Sequence, residues 1–96
     1  MLLQKPIAKN DIVTIKLITG EEMIAGFESH DTDLVIVTKP VSLGQGPQGV
    51  GFMPWMMSAK AERIELNRSN VLAIAPTDPE IAKQYTQSTT SIQLDI

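Results

Sequence analysis

The chain has 96 residues, a formal charge of −3, 43% hydrophobic and 20% charged residues, and no cysteine. A chain of this length buries one hydrophobic core, and this apolar fraction marks a folding domain and not a disordered one. The missing cysteines exclude disulfides, thiolate catalysis and Cys-ligated zinc. The acidic balance excludes a general field that would draw the chain onto nucleic acid or an anionic membrane, so any such contact must be local.

Residues 1–10 read as an N-terminal extension, with neither the apolar run nor the cleavage site of a signal peptide. Nothing approaches the roughly 18 apolar residues of a membrane span, so no membrane partner is expected and a cytoplasmic protein is. Asp11–Leu17 alternates: Ile12, Thr14 and Lys16 fall on one face, Val13, Ile15 and Leu17 on the other, the signature of a half-buried strand. Thr19-Gly20-Glu21 supplies a turn. Glu22–Ser29 is a second strand with Met23, Ala25 and Phe27 facing one way, and His30-Asp31-Thr32-Asp33 is a polar turn. Leu34–Thr38 is a third strand, ending at Lys39-Pro40. Three strands joined by tight turns describe an antiparallel meander.

Val41–Gly51, with Gly44, Gly46, Gly49, Gly51 and Pro47, reads as a flexible loop. Gly44-Gln45-Gly46-Pro47-Gln48-Gly49 formally matches the G-x-G-x-x-G fingerprint, but that motif works because a helix N-terminus follows it, and here an extended segment does. Phe52–Ser58 is extended and very apolar; Pro54 puts it at a sheet edge or on a bulge. Arg63–Leu66 and Val71–Ile74 are short strands around the turn Asn67-Arg68-Ser69-Asn70. Asp78-Pro79 then reads as a helix N-cap with proline at the first helical position, followed by a short helix over Glu80–Tyr85 and a loose tail over 86–96.

This order of strands and turns resembles the Sm/LSm (Hfq-related) family. Leu17 and Gly20 match the opening of the family's first motif, Phe27 its later apolar position, Asp31 its turn aspartate and Leu34 the Met/Leu place after it. Leu66-Asn67-Arg68-Ser69-Asn70-Val71 resembles the second motif, the turn between the last two strands. The run Phe52–Met57 and the Asp-Pro-Glu helix look like a divergent branch carried by bacteriophages, which would place the protein in a bacterial host's cytoplasm. The resemblance implies an all-β fold: a small, strongly bent five-stranded antiparallel sheet over residues 11–76, with a short helix and tail over 77–96. It also implies a homo-oligomeric ring of about five to seven subunits, no enzymatic activity, and RNA or single-stranded DNA as ligand. Against the family pattern, the base-reading Asn is Val35, the stacking residue is Asp33, and the Arg-Gly pair beneath the base is Asn67-Arg68. A standard uridine pocket cannot be built from these.

The binding residues expected are Arg68, Asn67 and Asn70 in a turn that faces the pore of such a ring, with His30 and Asp33 beside them; the plain alternative is a solvated polar hairpin turn. One guanidinium per subunit, repeated around a ring, holds phosphates with avidity even on an acidic protein. Glu28, His30, Asp31 and Asp33 carry metal-ligating groups, yet two aspartates in a tight turn are accounted for by Asx hydrogen bonding to backbone amides. No metal, cofactor or catalytic group is expected. Phe52, Met53, Trp55 and Met57, with Met56 and Val71, are expected at the subunit interface: the run is dense and apolar, and lacks the interleaved basic residues of a base-stacking groove. The other course open to this sequence is a ring that binds protein and no nucleic acid.

Overall fold

A computed structural model describes residues 6–46, 49–56, 58 and 62–94. Six strands and one helix follow in chain order: β1 Ile12–Leu17, β2 Glu22–His30, β3 Leu34–Gly46, β4 Gly49–Pro54, β5 Arg63–Asn67, β6 Val71–Pro76 and α1 Pro79–Leu94. All pairings are antiparallel, in the order β4-β3-β2-β1-β6, with β5 also on β3. β5 takes Leu34–Thr38 of β3 and β4 takes Val41–Gly46, so six strands occupy five positions across the sheet. This is the mostly antiparallel β-fold with a C-terminal helix expected from the sequence.

The alternation in the first two strands sets the core. Val13, Ile15, Leu17, Met23, Ala25 and Phe27 point to one face and are buried there with Val35, Val37 and Leu66. On the opposite face Ile24, Val41 and Tyr85 form a second cluster with Ile12, Phe52 and Ile81, and through it α1 packs on the sheet.

β3 does not end at Lys39-Pro40, and Val41–Gly51 is not a flexible loop. The strand continues through both residues to Gly46 and turns back as β4, with Val41 opposite Pro54, Leu43 opposite Phe52 and Gly46 opposite Gly49; residues 47–48, at the tip, lie outside the described residues. The proline is accommodated by a β-bulge, in which two residues of one strand oppose one of its neighbour. Ile24 pairs with Val41 and Gly26 with Thr38, which leaves Lys39 and Pro40 together opposite Ala25. Lys39 adopts a left-handed backbone, φ 48°. Its N–H donates to the Glu62 carbonyl at 2.8 Å, and its own carbonyl accepts from the Tyr85 hydroxyl at 2.8 Å. Pro40 lacks the N–H that a ladder would need, and its carbonyl accepts from Trp55 N at 3.0 Å. The G-x-G-x-x-G match thus falls on a strand hairpin with no helix behind it.

Phe52–Ser58 is not extended throughout: β4 stops at Pro54 and the chain bends at Trp55–Met56. Pro54 does lie on a strand that, among the described residues, has one neighbour. At the C-terminus, Asp78 Oδ2 accepts from Glu80 N at 3.1 Å and Ile81 N at 3.3 Å, the cap expected there. The helix is longer than the Glu80–Tyr85 segment expected, reaching Leu94. Tyr85 anchors it: 5% exposed, edge-on to Phe52 at 6.4 Å, and bonded to the β3 bulge. One turn further on, Thr89 Oγ1 donates back to the Tyr85 carbonyl at 3.0 Å.

Burial pushes the Tyr85 phenol up to about 12. Stability owed to the neutral phenol is therefore complete below the ordinary tyrosine value near 10 and is lost as pH rises through about 12. Tyr85 is the sole tyrosine, so phenolate absorbance reads it directly. The folded protein is expected to titrate near the raised value, and urea to return it to the ordinary one. Tyr85→Phe should cost about 0.5–1.5 kcal/mol in urea unfolding at neutral pH.

Candidate nucleic-acid interface

Two turns meet at one end of the sheet: residues 31–33, between β2 and β3, and a single 3-10 turn, Arg68–Asn70, between β5 and β6. The first is closed by Asp31. Its Oδ1 accepts from Asp33 N and Leu34 N, both at 2.8 Å, and its own N–H donates to the Leu34 carbonyl at 2.9 Å. These amides hold the Asp31 carboxyl below its ordinary range, Asp33 N contributing most and Leu34 N next. Asp31 is thus a brace for the turn, the Asx role expected of it. Among the described residues no three His, Asp or Glu side chains converge on a site for a metal ion.

Arg68 ties the two turns together. Its backbone N–H donates to the Asp33 carbonyl at 2.9 Å. Its Nη1 lies 2.9 Å from His30 Nδ1 and donates to the Asp31 carbonyl at 3.3 Å. A guanidinium has five N–H donors; with both on Nη1 engaged, the Nε–H and Nη2–H edge remains, the fork that meets a phosphate with two parallel bonds.

A second bulge makes this meeting possible. Phe27 pairs with Val37 and Ser29 with Ile36, so Glu28 is the extra residue in β2. Simple alternation would turn His30 to the face opposite Phe27. The inserted residue reverses that: His30 pairs with Val35, a core residue, and its ring lies 6.0 Å from the Phe27 ring. Glu28 itself is held by Arg63 of β5, Nε to Oε2 at 2.7 Å.

The structure therefore brings His30, Asp31, Arg68 and the Asp33 backbone into one cluster. Asn67 is exposed beside it and pairs with Leu34. Asn70 is exposed and lies further off, its carbonyl accepting from Ile18 N at 2.9 Å. Val35 is fully buried and so cannot reach a base. The imidazole's role as the acceptor for Arg68 was not foreseen; its only trace in the sequence is the change of alternation after Phe27.

The apolar residues expected at an interface divide into groups. Phe52 is half-buried against Tyr85, and Trp55 packs against the main core with its Nε1–H donating to Glu21 Oε2 at 3.2 Å. Val71 packs on the core opposite Leu17. Met53 and Met56 stay about half exposed, at 50% and 46%, while Met57 lies outside the described residues. Ile18 and Leu72, not singled out from sequence, are 55% and 65% exposed. A pocket of about 450 Å³ lined mainly by Pro6, Ile7, Ile12, Val13 and Pro76 shares no residue with the cluster.

The Asp31 brace has a pH signature. A carboxyl lowered by folding contributes stability above its ordinary value and loses it as pH falls through the lowered one. Below about pH 4, the wild-type melting temperature should drop more steeply with acid than that of Asp31→Asn, which cannot ionise; a scanning series from pH 5 to pH 2 checks this.

The model of the Sm_like domain matches residues 14–86, which runs from within β1 through β6 and the first half of α1. No curated protein matches the chain. The domain model covers well over half of the sequence and agrees with the bent antiparallel sheet, and Sm-like domains are non-catalytic RNA-binding or structural units. The chain belongs to the Sm-like domain family.

Proposed function

We propose that this protein forms a closed homo-oligomeric ring of about five to seven subunits and binds RNA or single-stranded DNA by its phosphates, through Arg68 in a turn that lines the pore. The observation that carries the reading is the seating of Arg68: it is exposed, and it is anchored through its backbone N–H and Nη1, which leaves the Nε–H and Nη2–H donors for a ligand. An anchored guanidinium loses less side-chain freedom on meeting a phosphate than a free one does. Asn67 adds a donor and acceptor for a base or sugar, and Asn70 another at the far side of the turn. With Val35 in the core and Asp33 at the stacking position, the ring binds without uridine specificity.

The ring rests on the sheet's edges. Among the described residues β6 pairs only with β1, and β4 and β5 only with β3. Open edges are templates for another chain, and cyclic closure satisfies every one of them. Leu72 on the β6 edge and Met53 on the β4 edge supply exposed apolar contact. Phe52, Trp55 and Val71 back this interface from inside the subunit, and Met57 extends the same run. A divergent bacteriophage-type branch, working in the host cytoplasm, fits the run Phe52–Met57 and the capped C-terminal helix. Among the described residues no helix is long and apolar enough to cross a membrane.

A second reading is favoured by Asp31 and Asp33 flanking Arg68 and by the net charge of −3: a ring that docks a basic protein segment and no nucleic acid. Anisotropy titrations with labelled oligo-U, oligo-A and mixed single-stranded DNA separate the two. Under the nucleic-acid reading, affinity falls steeply between low and near-physiological salt, and Arg68→Ala binds at least about fivefold more weakly at unchanged hydrodynamic size. No binding at low salt would overturn it in favour of the protein-docking ring.

A further inference from the structure

A guanidinium only donates. With Arg68 Nη1 at 2.9 Å from His30 Nδ1, Nδ1 must be the acceptor, the imidazole neutral and its proton on Nε2. That bond cannot survive protonation of the ring, since Nδ1–H and Nη1–H would then be two donors facing one another on two cations.

We propose that His30 and Arg68 form a proton-coupled phosphate clamp, in which neutral His30 holds Arg68 by Nη1 and protonated His30 becomes a second donor to the same phosphodiester. The proposal rests on the nucleic-acid reading of the Arg68 turn and adds its regulation. Protonation turns Nδ1 from an acceptor into a donor and adds a positive charge, so phosphate affinity rises as pH falls. The gain outweighs the loss because the bond given up is exposed to water, where one hydrogen bond counts for little, whereas the donor gained is charge-assisted. The charged groups around His30 are Arg68 from the 3-10 turn and Asp31 and Asp33 in the following loop. Asp31 Oδ1 is engaged with two backbone amides and Glu28 of the same strand with Arg63, so the acceptors with which a phosphodiester competes for the protonated imidazole are Asp31 Oδ2 and the Asp33 carboxylate. The Phe27 ring, 6.0 Å away and tilted by 50°, keeps the imidazole seated when Arg68 lets go.

His30 is the only histidine, so one imidazole signal reports the state of the site. The test combines oligonucleotide anisotropy between pH 5.5 and 7.5 at fixed ionic strength with the imidazole nitrogen spectrum of the intact protein. At neutral pH the free protein should show the Nε2–H form, and added single-stranded oligonucleotide should move the imidazole midpoint upward. Affinity should rise about tenfold toward the acid end, below the ceiling of tenfold per pH unit that one proton sets. The salt dependence there should steepen by about 0.7 in log–log slope, one further phosphate contact on a single strand. In His30→Gln the ratio of affinities between the two pH values should fall to about one. Salt-sensitive binding that is flat across pH, or a pH dependence that persists in His30→Gln, overturns the clamp and leaves the nucleic-acid reading standing. No binding at any pH overturns both.

Discussion

Lys39 sits in a backbone conformation that side-chain-bearing residues avoid, and the fold is arranged to keep it there. Glu62 takes its N–H, Tyr85 takes its carbonyl, and Pro40 beside it has no donor to leave unsatisfied. Because two residues of β3 face one of β2 at this point, the strand bends and changes partner, from β5 on one side of the bulge to β4 on the other. The bend lets a 13-residue strand serve both halves of the sheet. It also gives α1 a fixed point, since the hydroxyl that satisfies the bulge belongs to the residue that seals the helix to the sheet. Gly26 lies opposite Thr38, just before the bulge, and a Cβ there would meet Thr38 Oγ1 at 2.5 Å.

The bulge at Glu28 does for the His30–Arg68 cluster what Lys39-Pro40 does for the fold. One inserted residue carries His30 onto the side of the sheet that bears Phe27 and Val35, where Arg68 arrives from the other end of the β3–β5 pairing. Arg68 follows Leu66, a core residue opposite Val35, by two positions. The same ladder that buries Leu66 thus aims the guanidinium. The meeting of imidazole and guanidinium depends on register: a slip of one residue in β2 or β5 would turn that strand's core side chains to the other face and part the two groups.

Much of this was legible in the sequence, and what was not has a common cause. The alternation of Val13, Ile15 and Leu17 and of Met23, Ala25 and Phe27 placed the core, because a strand's side-chain period is a local property. Asp78-Pro79 marked the helix start for the same reason. A bulge is not local: whether two residues oppose one depends on a neighbour distant in sequence. Lys39-Pro40 therefore read as a stop, and four glycines outweighed the alternation of Val41 with Leu43 and Val50 with Phe52, so a hairpin read as a loop. The helix beyond Tyr85 is not legible in the sequence because a run of Thr, Gln and Ser has weak helix propensity. His30, Asp33 and Arg68 were singled out individually. Their meeting, and the hydrogen bond that fixes the imidazole tautomer, required the register.

The proposed ring requires that this sheet be finished by other copies of itself, with β6 of one subunit completing the β4–β5 edge of the next. The most direct measurement is the absolute mass of the purified chain by multi-angle light scattering, followed on dilution from about 100 to about 1 μM. Closed rings with every edge paired predict one species of about five to seven subunits, constant across that range. A monomer, or a mass that climbs steadily with concentration as an open filament would, contradicts the account.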